Sequence, residues 1–83
     1  MRGTIRRINK GRGLVAVETE HGDFSIFEIL GAGVFEVGDN VSWNDATAIG
    51  HEQIQNLTHQ SKAEVYFQYH HVNESLVQHQ LGY

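Results

Sequence analysis

Leu14-Val15-Ala16-Val17-Glu18-Thr19-Glu20-His21-Gly22-Asp23-Phe24-Ser25-Ile26-Phe27-Glu28-Ile29-Leu30 reads as two short strands around a turn. The length of that turn decides which side chains share a face. A two-residue His21-Gly22 loop would pair Glu20 with Asp23 and set Phe24 beside Val15 and Val17. A three-residue Glu20-His21-Gly22 loop instead pairs Thr19 with Asp23 and puts Gly22 where a left-handed backbone is wanted. The second arrangement makes the better core, because Val15, Val17, Phe27 and Ile29 then line one face. The opposite face carries Arg12, Leu14, Ala16, Phe24 and Ile26, bordered by Glu18 and Glu28. Apolar groups beside a cation on an outer face suggest a binding platform.

Upstream, residues 2–9 form a further strand in which Ile5 and Ile8, three apart, would fall on opposite faces of a regular strand. A bulge at Arg6-Arg7 turns both isoleucines inward and leaves both arginines outside. Downstream, Val37-Gly38-Asp39-Asn40-Val41-Ser42-Trp43 reads as a turn and a strand near 38–44, with Val41 and Trp43 inward. After the turn region 45–50, Ile54 and Leu57 mark a short strand near 51–58. From Lys62, the alternation of Ala63, Val65, Phe67 and Tyr69 with Glu64, Tyr66, Gln68 and His70 predicts a sixth strand. Asn73 is a suitable helix N-cap, Glu74 suits the first turn, and Val72 can staple against Val77. A helix over 74–81 follows, with Leu76, Val77 and Leu81 as its buried side.

Eighty-three residues with 40% hydrophobic and 19% charged side chains suit a single small core. No cysteine is present to form a disulfide or a thiolate metal site. No apolar run approaches the roughly 20 residues that cross a bilayer, so no membrane partner is expected and a cytoplasmic protein is the expectation. The net charge of −4 conceals a separation along the chain. Arg2, Arg6, Arg7, Lys10 and Arg12 precede every acid, and the ten acids are accompanied only by Lys62. A polyanion responds to such a local patch more than to the total.

Gly3-Thr4-Ile5-Arg6-Arg7-Ile8-Asn9-Lys10-Gly11-Arg12-Gly13-Leu14-Val15-Ala16-Val17 aligns without gaps to the first two strands of cold-shock domains, in the pattern G-T-V-K-W-F-N-x-x-K-G-F-G-F-I. Gly22-Asp23-Phe24-Ser25-Ile26-Phe27 resembles that family's V-F-V-H-F region, and Val37 to Trp43 is similar to its E-G-Q-x-V-x-F strand. The resemblance implies an all-β fold: a small five-stranded OB barrel over residues 1–58, with 59–83 adding a strand and a short helix to the same domain. It also implies non-enzymatic binding of single-stranded RNA or DNA. Arg6 and Arg12 stand where the family has lysines. Leu14 and Ala16 replace two stacking phenylalanines, Arg7 replaces a tryptophan and Ile26 a histidine, so only Phe24 and Phe27 keep aromatic character. Stacking is worth about 1–3 kcal/mol per base, and the loss of rings at these family positions implies weak binding.

The expected nucleic-acid-binding residues are therefore Arg6, Arg7, Lys10 and Arg12 for phosphates, and Leu14, Phe24 and Phe27 for bases. The rival expectation is a protein partner or homodimer, formed through the apolar sheet face or the C-terminal strand. His59, His70, His71 and His79 read as surface residues and not as metal ligands, since adjacent His70 and His71 point to opposite faces of a strand. Gly11-Arg12-Gly13 lacks the spacing and the following helix of a phosphate loop. No nucleophile–base or paired-carboxylate spacing argues for catalysis, and no cofactor is expected.

Overall fold

Alternating apolar and polar residues build six strands, seen in a computed structural model that describes residues 1–31 and 33–83. They are β1 (Arg2–Asn9), β2 (Leu14–Thr19), β3 (Phe24–Leu30), β4 (Asn40–Ser42), β5 (Gly50–Asn56) and β6 (Ser61–Val72). Glu74–Leu76 forms a 3-10 turn that leads into α1 (Val77–Gln80). The strands close into an antiparallel barrel in the order β1-β2-β3-β6-β5-β4.

The β2–β3 hairpin adopts the three-residue turn. Val17 lies opposite Ser25 and Glu18 opposite Phe24, the Thr19 amide donates to the Asp23 carbonyl at 2.8 Å, and Gly22 has φ of +87°. The bulge in β1 is present as well. Ile5 faces Val17 and Arg7 faces Ala16, so Arg6 is the extra residue. Ile5 is buried and Ile8 packs on the core, while Arg6 and Arg7 are exposed. The turn at 36–39 docks on β1 at this point: the Ile5 amide donates to the Asp39 carbonyl at 2.9 Å and the Gly38 amide to the Ile5 carbonyl at 2.7 Å.

The barrel interior is filled by Ile5, Val15, Val17, Phe27, Phe35, Val41, Trp43, Ile54, Val65 and Phe67. Phe27 meets Phe35 and Phe67 edge-on at 5.3 and 5.5 Å, and Trp43 lies 5.0 Å from Phe67. These offset contacts are the arrangement that ring quadrupoles favour.

The expected five-stranded barrel with an appended strand is corrected by β6, which lies between β3 and β5 as one of six staves. A division at residue 58 falls inside this single barrel, because residues 1–58 alone would leave β3 and β5 each with an unpaired edge. The C-terminal strand is paired to β5 over residues 61–67 and to β3 over residues 64–72. Alternation along β6 holds through Val65 and Phe67, then slips: Ile26 pairs with Tyr69 and Phe24 with Val72. Tyr69 is therefore exposed instead of inward, and His71 takes a φ of +57°.

The slip turns Val72 onto the outside of the barrel. There Leu14, Ala16, Phe24 and Ile26 form a second apolar cluster with Val72, Val77 and Leu81. Asn73 caps the turn as expected, its side chain accepting from the Ser75 amide at 3.0 Å. Val77 and Leu81 are buried, each contributing about 1.5–3 kcal/mol. Leu76 belongs to the tighter 3-10 turn and faces solvent, contrary to expectation. Residues 51–58 also shorten, since the strand ends at Asn56 and Leu57 is partly exposed.

Gly3 sits between Thr19 on β2 and Val41 on β4, and a Cβ there would lie 2.7 Å from the Glu18 carbonyl oxygen and overlap the Val17 side chain. Gly3→Ala is expected to lower stability by about 1–3 kcal/mol, read from the urea midpoint. At Gly11 the nearest atom to an added Cβ is 3.6 Å away, so Gly11→Ala should leave the midpoint nearly unchanged.

Candidate nucleic-acid interface

Because Arg2, Thr4 and Arg6 alternate outward along β1, they line a groove of about 570 Å³ between β1, β2 and β4. Glu18, Glu20, Asn40 and Thr58 complete its polar wall. The bulge then places Arg7 outward as well, and it enters a second cleft of about 410 Å³ with Arg6, Glu18, Phe24 and Glu74. The two hollows share Arg6 and Glu18, so Arg2, Arg6 and Arg7 follow one track over the outer surface of β1.

Three of the expected residues, Arg6, Arg7 and Phe24, thus come together in one cleft. Lys10 is exposed in the β1–β2 turn, and Arg12 lies against Gly82, away from that cleft. The base-contacting expectations fail on burial. Phe27 is 0% exposed inside the barrel, while Leu14 at 7% and Phe24 at 4% are sealed under the C-terminal segment. None presents an open ring or side chain for a base to lie on. The expected bulge had marked Arg6 and Arg7 as outward, and Arg2 and Thr4 join them through the alternation of β1. Asn40 and Thr58 could not be found that way, because they arrive through the distant pairing of β1 with β4 and the turn after β5.

Electrostatically the track is mixed. The Arg6 Nε donates to Glu18 Oε1 at 2.9 Å, whereas among the described residues Arg2, Arg7, Lys10 and Arg12 have no ion-pair partner. An exposed pair of this kind is worth about 0–1 kcal/mol, so an incoming phosphate can replace Glu18 at little cost. Glu20 accepts from the Arg2 amide at 3.1 Å, and Glu74 supplies negative charge at the cleft.

Other polar clusters hold loops. Asp39 is buried; its Oδ2 accepts from the Glu36 amide at 2.9 Å and from Asn56 Nδ2 at 2.8 Å, and its Oδ1 lies 3.2 Å from His59 Nε2. Glu36, Asp39 and His59 are the one grouping among the described residues with ligand atoms close enough for an ion, within 4.8 Å. Both Asp39 oxygens are already engaged, and the cluster joins the 36–39 turn to β5 and the turn beyond it. His70 accounts for the 44–49 loop. Its Nε2 donates to the Ala48 carbonyl at 2.6 Å, and its Nδ1 lies 2.7 Å from the Ser25 hydroxyl. Ser25 is 2% exposed, and the Ser25–His70–Ala48 chain of contacts ties β3 and β6 to the 44–49 loop.

Comparison with protein-family models, with curated proteins and with solved structures finds no match to this chain. No described helix is long and apolar enough to cross a membrane.

At the tip of the β2–β3 hairpin, the Thr19 hydroxyl donates to Asp23, and His71 Nδ1 lies 2.8 Å from the other carboxylate oxygen. The Thr19 bond is the main influence holding the Asp23 carboxyl below its ordinary 3.8; burial opposes it and His71 adds a smaller lowering. A carboxylate lowered on folding stabilises the protein above its unfolded value, and that stability is lost as pH falls through the folded value. Thr19→Val is therefore expected to lower stability at neutral pH. The gap from the parent protein should close as pH drops below the carboxylate range, measured by urea unfolding across a pH series.

Proposed function

We propose that this chain is a non-enzymatic binder of single-stranded nucleic acid, related to cold-shock OB domains and directed at the phosphate backbone. The observation that carries this function is the alignment of Arg2, Arg6 and Arg7 along the two adjoining hollows of β1. The β1-β2-β3 meander, the bulge in β1 and the pairing of β1 with β4 support an OB-like barrel. The sixth strand is a departure from the five-stranded pattern.

Phosphate contact and base contact separate cleanly here. With Leu14, Phe24 and Phe27 buried, little stacking is available, and affinity rests on cations that do not read sequence. Binding is accordingly weak, tolerant of base identity and sensitive to salt. Arg7, planar and unpaired, is the residue best placed to lay its guanidinium on a phosphate or a base. Glu18 competes for Arg6 and limits the affinity further.

Titration of labelled oligo-dT and oligo-U at stepped salt concentrations tests the proposal. If three cations engage one strand, log affinity should fall against log salt with a slope of about −2. Arg7→Ala is expected to weaken binding by about tenfold, and Glu18→Gln to strengthen it a few-fold. Absence of binding to both oligonucleotides, or binding indifferent to salt and to Arg7, would refute it.

A further inference from the structure

Arg2, Arg6 and Arg7 each have a carboxylate for a neighbour. Glu20 is held to Arg2 from both directions, its amide donating to the Arg2 carbonyl at 3.2 Å and its Oε1 accepting from the Arg2 amide at 3.1 Å. Glu18 Oε1 accepts from Arg6 Nε at 2.9 Å. Glu74 lines the cleft that holds Arg7. In the first two couples only Oε1 is engaged: among the described residues, Oε2 of Glu18 and of Glu20 makes no hydrogen bond. Both residues line the groove between β1, β2 and β4, so these spare acceptors belong to the surface that a bound strand crosses.

Phosphate contact accounts for the arginines and leaves the carboxylates without a role. An ionised carboxylate can only accept hydrogen bonds. The backbone of an internal DNA segment offers it nothing, because phosphodiester and deoxyribose oxygens are themselves acceptors. RNA adds a donor at each nucleotide, the ribose 2′-hydroxyl, on the carbon next to the one that carries the 3′-phosphate. A strand that sets a phosphate on an arginine thus has its hydroxyl beside that phosphate, where the neighbouring glutamate lies. Resting on the nucleic-acid function above, we propose that this groove reads the sugar and that its ligand is single-stranded RNA in preference to DNA. Arg2 and Arg6 take phosphates, while Glu20 and Glu18 accept from 2′-hydroxyls in charge-assisted bonds. Between the two couples, Thr4 and Thr58 add neutral hydroxyls suited to a sugar edge, with Thr4 Oγ1 donating to Asn40 Oδ1 at 3.0 Å. Repulsion between glutamate and phosphate weakens both nucleic acids alike, so the hydroxyl alone separates them. Recognition of this kind is indifferent to the base.

The test titrates the full chain into labelled oligo-U, oligo-dU and 2′-O-methyl oligo-U of equal length at one salt concentration. The three strands share base and charge and differ only at the 2′-position. Oligo-U should bind about five- to tenfold more tightly than oligo-dU. The 2′-O-methyl strand keeps the oxygen but has no proton to give, and it should fall with oligo-dU. Combining Glu18→Ala with Glu20→Ala should bring the ratio of oligo-U to oligo-dU affinity to within about twofold of unity, while affinity for oligo-dU holds or rises. Glu64→Ala, whose carboxylate pairs with His51 on β5 away from the groove, should leave the ratio unchanged. If the double variant fails to fold by circular dichroism, Glu20→Ala, at an exposed position, takes its place, and the comparison of strands on the parent protein needs no variant. Salt-sensitive binding with equal affinity for oligo-U and oligo-dU overturns this inference and leaves the function above standing. A preference for oligo-U that survives methylation, or the loss of the glutamates, overturns it as well. Failure to bind any of the three strands overturns both.

Discussion

Pairing of β6 on both sides, to β3 and to β5, is the constraint on which the rest of the molecule depends. It closes the barrel between β3 and β5, and it brings Phe67 to the centre of an aromatic cluster with Phe27 and Trp43. The same strand decides what happens outside. Its slipped register beyond Phe67 places Val72 on the outer wall and starts the chain toward the face of β2 and β3. A face that alternation alone leaves open to solvent is closed as a result. The interior and the exterior clusters are thus two consequences of one strand and of the irregularity near its end.

Local features were legible in the residues. The turn at Glu20-His21-Gly22 set the register of β2 against β3, and the spacing of Ile5 and Ile8 announced the bulge that aims Arg6 and Arg7 outward. In both cases a few neighbouring residues contain the whole physical cause. What eluded the sequence was every arrangement made between distant segments. Val72, Val77 and Leu81 carry no mark that they will lie over Leu14 and Phe24, and an alternating strand at 61–72 fits an edge as readily as a closed wall. Phe24 shows the cost: an outward position on a strand is exposed only while nothing is laid upon it.

The candidate interface bears the same division. Three arginines share a surface because of short-range geometry in β1, and their surroundings come from elsewhere: Glu18 from β2, Asn40 from β4, Glu74 from the segment after β6. The two glutamates partly offset the positive charge of the arginines. For the nucleic-acid binding proposed above, a mixed track of this kind suits contacts that form and release, in keeping with the burial of the rings that would otherwise add stacking.

The closed seam between β3 and β6 has a consequence for how the chain reaches this state. β3 emerges early in synthesis, yet its second neighbour is some forty positions later, and loop closure over that distance precedes any reward from pairing. Until Val72 has left the ribosome, β3 displays a bare row of amides and carbonyls beside the hydrophobic strip of Phe24, Ile26 and Phe27. A nascent chain is then at its stickiest, and self-association competes with completion of the ring. In the finished barrel β3 is paired on both sides, so its hazard is confined to the interval before the last stave arrives.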